Sequence, residues 1–101
     1  MIRINWIKNM QVNLYATFRL AAGFKHLQID LPQGSTIYTL VLAIVDQYPV
    51  LRTHWLDIEN QLHAHVHIFL NGNEITTLPD DLQTRLNPAD VVDFFPPVAG
   101  G

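Results

Sequence analysis

Apolar and polar positions alternate in "VNLYATF", which predicts a half-buried strand with Val12, Leu14, Ala16 and Phe18 on one face. "RLAAGFK" then reads as a turn, with Gly23 free to take a positive φ. "HLQIDL" alternates again and turns Leu27, Ile29 and Leu31 inward, so the two runs read as a hairpin. The period changes after "PQGST". Ile37, Leu40, Val41, Ile44, Val45 and Tyr48 form one helical stripe, Ser35 or Thr36 is placed to cap it, and Pro49 stops it. The stripe is rich in β-branched residues, so the helix is expected to rely on packing against a sheet.

The second half repeats the strand signals. "VLRTHWLDIENQ" has only a weak pattern and reads as a connector with a short helical turn. "HAHVHIFL" alternates, placing Val66, Ile68 and Leu70 inward and His65, His67 and Phe69 outward. "NGNE" carries the Asn-Gly signal of a tight turn into the short strand "EIT". "LPDDLQTRLNPAD" reads as turn, helical turn and loop, with Asp80 and Asp81 as turn or cap residues rather than an acid/base pair. "VVDFF" is a last strand, with Val92 and Phe94 inward, ended by Pro96. The order strand, strand, helix, strand, strand, strand predicts an α+β roll: a mixed sheet of four to five strands with one helix across its apolar face. Residues 1–9 read as an extension, 10–95 as the domain and 96–101 as an extended tail. The extension is open between an extra edge strand, an arm and the product of a start codon before Met10.

Composition narrows the class. At 101 residues, 49% hydrophobic and 15% charged, the chain has the make-up of one folded domain rather than a disordered segment. It has no cysteine, which removes disulfides and thiolate chemistry and fits a cytoplasmic setting. The longest apolar run, "LVLAIV", is too short to span a bilayer, and "MIRINWIKNM" lacks the apolar core of a secretory signal. Residues 1–53 hold Arg3, Lys8, Arg19, Lys25 and Arg52 against Asp30 and Asp46, a net +3. Residues 54–101 hold Arg85 against Asp57, Glu59, Glu74, Asp80, Asp81, Asp90 and Asp93, a net −6. No basic stripe exists for phosphates, so nucleic acid is not the expected partner; an acidic half suits a basic protein surface, or is ordinary solvated charge.

The helix cap region "LPQGST", the helix end "QYP", the turn "LNGNEI" and the ending "FFPPVAGG" together resemble the MoaD/ThiS family of ubiquitin-like sulfur carriers. The likeness covers residues 10–101, and the Gly-Gly ending behind aromatic-Pro-Pro-Val-Ala is its most specific part. One departure is "NPAD", with Ala89 where the family has glycine before the last strand, which puts that turn's geometry in question. The resemblance implies a β-grasp fold and a carrier that is not itself an enzyme. An adenylating partner would join the carboxylate of Gly101 to AMP, and persulfide sulfur would displace AMP to leave a thiocarboxylate. ATP would be used by that partner, and the carrier itself would bind no cofactor. The implied role is sulfur donation, first for molybdopterin through a molybdopterin synthase large subunit. Sulfur carriage for cysteine synthesis or tRNA thiolation, or conjugation of Gly101 to lysines as a ubiquitin-like modifier, are the alternatives.

On this view the tail is an insertion arm. Gly100 and Gly101 carry no β-carbon to crowd a narrow channel, while Pro96 and Pro97 hold the chain stiff ahead of Val98 and Ala99. Tyr15, Thr17 and Phe95 face away from the helix, and Tyr15, Phe69 and Phe95 fall where the family has partner-facing aromatics. A competing signal is "HAHVH". His63, His65 and His67 alternate and would share one strand face, with His54, Glu59 or Asp93 as a further ligand. Nothing in the sequence makes those groups converge, so no metal site is expected.

Overall fold

A computed structural model describes residues 5–97 of the chain. Strand β1, Trp6–Leu14, is followed by the short helix α1, Ala16–Ala22, and by β2, His26–Pro32. Helix α2, Ile37–Gln47, leads through a 3-10 turn, Pro49–Leu51, into the single-turn helix α3, Arg52–Trp55. Strands β3, His67–Leu70, and β4, Asn73–Glu74, form a hairpin, and β5, Val91–Phe95, closes the order. The sheet runs β2-β1-β5-β3-β4. The β1–β5 pair is parallel and the others antiparallel. This is the mixed-sheet β-grasp roll, with five strands and, among the described residues, two short helices besides α2.

Strand β1 is where alternation misled. It spans Trp6–Leu14 and ends before Tyr15, so Ala16 and Phe18 belong to α1 rather than to the strand. Residues 6–9 are the first part of β1, paired with β2 from Trp6↔Pro32, and not an extension or an extra edge strand. A β-bulge explains the misreading. Ile7 pairs with Leu31 and Met10 with Ile29, so β1 spends one more residue than β2 over this stretch. Asn9 takes φ 55° inside the bulge and its N–H donates to Asp30 Oδ1 at 2.8 Å. Ile7 and Met10 therefore both point inward, 1% and 0% exposed, although their numbers differ in parity. The two strands are joined through α1, which Gly23 ends in the left-handed conformation with φ 94°.

Helix α2 follows its sequence pattern. Thr36 caps it, accepting from the Thr39 amide at 3.2 Å, and Ile37, Leu40, Val41, Ile44 and Val45 are buried. They share one core with Val12, Leu14, Leu27, Ile29, Leu31, Ile68, Val92 and Phe94. Part of that core comes from segments without periodicity. Leu51, Trp55 and Leu56 lie in the connector read as a weak pattern; Ile75, read as part of a short strand, lies in a 3-10 turn after β4, and Leu86 in irregular chain before β5.

The Asn-Gly turn forms as expected, with Asn71 at φ 51° and Gly72 at φ 85°. Asn71 also ties the hairpin to the start of β5: its Nδ2 donates to Asp90 Oδ1 at 2.9 Å and its Oδ1 accepts from Val91 N at 2.9 Å. Asp90 accepts a second bond from the Asn87 amide at 2.7 Å. Ala89 is not among the non-glycine residues of positive φ, so this turn does not require glycine there. Among the described residues, no helix is long and apolar enough to cross a membrane.

Candidate functional site

The outer face of the sheet carries the positions that alternate with the core. Cross-strand register lines up His26, Asn13, Asp93, Phe69 and Glu74 in one row over all five strands. The next row, towards the end of β5, holds His67 opposite Phe95. Tyr15 follows β1 directly, and its amide donates to Phe94 O at 3.2 Å, which brings its side chain beside Phe95.

Three aromatic side chains meet at that corner. The rings of Tyr15 and Phe95 stack at 4.1 Å with planes 9° apart, and Phe69 meets Phe95 edge-on at 5.3 Å and 81°. Phe69 and Phe95, with His67, Gly72, Asp93 and Pro96, line an open concavity of about 450 Å³. Tyr15 is not part of that lining; it stands behind Phe95. Tyr15, Phe69 and Phe95, expected together from sequence, are thus brought together, but in two different positions. Pro96, half-buried, forms the edge of the concavity and Pro97 is exposed. The expected insertion residues Val98, Ala99, Gly100 and Gly101 lie outside the described residues.

A polar chain runs beneath the aromatics. Asp93 Oδ1 accepts from Asn13 Nδ2 at 2.8 Å and from the Tyr15 hydroxyl at 3.3 Å. Since Asn13 donates through Nδ2, its Oδ1 accepts, and the His26 Nδ1 at 2.6 Å carries the proton. Burial, and then the charge of Asp93 and its hydrogen bond, hold the Tyr15 phenol above its ordinary pKa of 10.0, so it stays a donor at neutral pH. The Lys25 ammonium stands 5.0 Å from the centre of the same ring. Sequence reasoning missed Asn13, His26 and Gly72, and weighed Asp93 only as a further metal ligand. Asp93 had a signal, since it alternates with Phe95 in "VVDFF"; the pairing of β1 with β5 across the chain had none.

The histidines do not share a strand face. Strand β3 begins at His67, while His63 and His65 precede it in a turn, their rings stacked at 5.0 Å. His67 is held instead by Glu74, with Nδ1 3.0 Å from Oε1. Among the described residues there is no cluster of three or more groups able to hold a metal ion.

The model of the ThiS family matches residues 12–101, nearly the whole chain. The chain belongs to the ThiS family. It is a ubiquitin-like protein of the group that includes sulfur carriers and small protein modifiers. It is 29% identical over 92 residues to small archaeal modifier protein 3 of Haloferax volcanii, covering 91% of this chain and 98% of that one. The crystal structure of SAMP1 from Haloferax volcanii superposes with a TM-score of 0.83 at 25% identity, over 92% of this chain and 99% of that chain. A putative molybdopterin converting factor subunit 1 from Pyrococcus furiosus superposes with a TM-score of 0.70 at 26% identity, over 89% and 98%. In this ThiS-family chain the concavity opens where β5 gives way to Pro96 and Pro97.

Proposed function

We propose that the protein is a sulfur carrier whose Gly101 carboxylate is adenylated by a partner enzyme and converted to a thiocarboxylate, with molybdopterin synthesis as the first recipient. The observation that carries this reading is positional. The apolar concavity lined by Phe69 and Phe95 begins at Pro96, so a partner seated on it lies at the root of the tail. Docking and tail insertion then use one surface. Buried aromatics make strong anchors, and a stiff Pro-Pro root loses little freedom when the tail enters a channel. At ~3.1 Å per residue, six extended residues from Pro96 reach about 19 Å, enough to enter a recessed ATP site.

The chemistry is divided between the two proteins. The Gly101 carboxylate oxygen attacks the α-phosphorus of ATP and pyrophosphate leaves. The terminal sulfur of a persulfide then attacks the acyl carbon and AMP leaves. A thiol cleaves the resulting S–S bond as the two-electron reductant, freeing the thiocarboxylate. The partner supplies ATP binding and catalysis, and the carrier supplies the acyl group and the docking face. Likeness to a putative molybdopterin converting factor supports the recipient named, and an absence of cysteine leaves no thiol on the carrier itself to compete for the acyl group.

Intact-mass analysis tests the reading. Incubation with a cognate adenylating enzyme, ATP and a sulfur source is expected to exchange one oxygen for sulfur, and deletion of Gly101 to abolish the change. No exchange with any such enzyme sinks the proposal. A second reading, a modifier joined to lysines through Gly101, is favoured by the likeness to small archaeal modifier proteins. It predicts Gly-Gly remnants on lysines of other proteins, which a carrier alone does not leave.

A further inference from the structure

We propose that Tyr15 is a positioning residue that fixes the direction in which the tail leaves the sheet, rather than a contact for the docking partner. The inference rests on the carrier reading above and adds to it how the tail is aimed. Tyr15 does not line the concavity that Phe69, Phe95 and Pro96 share; it closes Phe95 in from behind. Phe95 is the last residue of β5 and is followed by Pro96 and Pro97, so its orientation is inherited by whatever follows. The parallel pairing of β1 with β5 ends at Leu14↔Phe94. Beyond it, on the β1 side, the stack with Tyr15 holds Phe95, while Phe69 holds it edge-on from the β3 side.

Tyr15 is itself held at both ends. Its amide donates to Phe94 O at 3.2 Å, and its hydroxyl donates to Asp93 Oδ1 at 3.3 Å. Asp93 is set by Asn13, and Asn13 by His26, so the chain His26–Asn13–Asp93–Tyr15 crosses β2, β1 and β5 with every donor pointing towards the carboxylate. The corner between β1 and α1 also keeps a left-handed Ala16, φ 51°, directly after Tyr15, a conformation an alanine adopts only when its surroundings impose it. Leverage makes the angle matter. For a tail that reaches about 19 Å when extended, a tilt of about 25° at Phe95 moves the point at which it meets a channel by about 8 Å, so a loosened Phe95 means more freedom lost on insertion and weaker binding, with the geometry of the inserted tail unchanged.

The test uses the full chain in two settings. In the free protein, the 15N relaxation of the Phe95 amide and the ring-proton shifts of Phe95 are compared for the unaltered chain, Tyr15→Leu and Tyr15→Phe. The leucine variant is expected to lose the ring-current shift and to loosen Phe95; the phenylalanine variant, which keeps the stack, is expected to stay near the unaltered chain. With the adenylating enzyme, ATP–pyrophosphate exchange is expected to show KM raised about tenfold in Tyr15→Leu with kcat held within about twofold, and most of the loss recovered in Tyr15→Phe.

Phe95 equally ordered in Tyr15→Leu overturns the proposal, whatever KM does: a raised KM with an unchanged Phe95 makes Tyr15 a contact residue. An unchanged KM overturns it as well. Should Tyr15→Leu fail to fold, Tyr15→Met removes the same stack with a flexible side chain and leaves the concavity lining untouched, and the Phe95 relaxation and KM give the same decision. If no such enzyme adenylates the unaltered chain, the carrier reading falls, while the relaxation arm still decides whether Tyr15 orders Phe95.

Discussion

The indole of Trp55 lies flat on the ring of Phe94, 4.3 Å between centres and with planes 10° apart, and Phe18 meets the indole edge-on at 5.7 Å. Helix α3 is a single turn and has little stability of its own, so this stack is what seats the connector after α2 against β5. Trp55→Ala is expected to destabilise the protein by about 3–5 kcal/mol in urea titrations. The Trp55 Nε1 is buried without a hydrogen-bond partner. Trp55→Phe removes that orphan donor and is expected to lose no more than about 2 kcal/mol, since leaving such a group unpaired costs about 1–3 kcal/mol. Trp55 is fully buried and Trp6 is 49% exposed, so Trp6→Phe is expected to leave a blue-shifted emission that moves to the red on unfolding.

Asn71 joins the β3–β4 hairpin to β5 through Asp90 and the Val91 amide while taking a positive φ. Asn71→Ala loses both side-chain bonds and the conformational tolerance of asparagine. A loss of about 2–4 kcal/mol is expected by chemical denaturation. Asn71→Gly keeps the backbone and loses only the bonds, so it is expected to fall between the two. Equal stability of the alanine variant and the unaltered chain would show that the tie carries nothing.

Tyr15 sets a pH dependence. Its phenol is raised above 10.0 by burial and by Asp93, so folding favours the protonated form. The resulting stabilisation is complete below the unfolded pKa near 10 and is lost as pH climbs through the higher folded value. Denaturation between about pH 9 and 12 is expected to show the unaltered chain losing more stability than Tyr15→Phe. An absorbance titration is expected to show a phenol ionising above 10.0, and that step missing in Tyr15→Phe.

Phe69 lines the concavity without belonging to the core. Phe69→Ala is expected to keep the fold and to weaken binding to the adenylating enzyme by tenfold or more, the size of a central aromatic anchor of about 2 kcal/mol. Calorimetric titration with that enzyme measures it. Undiminished affinity would place the docking surface elsewhere.

The three histidines are expected to bind no stoichiometric zinc, because His67 is taken by Glu74 while His63 and His65 lie outside β3. Equilibrium dialysis with zinc, before and after His65→Ala and His67→Ala, checks this. A site of one ion per chain, lost in either variant, would contradict it.

Where one residue's neighbours along the chain decide its state, the amino-acid sequence alone was enough. The α2 stripe with Thr36 as its cap, the inward face of β2, the Asn71-Gly72 turn and the bounds of β5 are all local patterns, and each forms as read. So is the outward placing of Phe69 and Phe95. Tertiary structure decided the rest. The bulge at Asn9 shifts the alternation of β1, so that Ile7 and Met10 both enter the core, and the end of β1 at Leu14 makes Phe18 arrive there from a helix. Trp55 owes its burial to Phe94, and Asp93 its hydrogen bonds to Asn13 and Tyr15, partners about 40 and 80 residues away along the chain. A repeating pattern reports only which face of an element is apolar. Which faces meet, and in what register, is settled when the strands pair and the side chains pack.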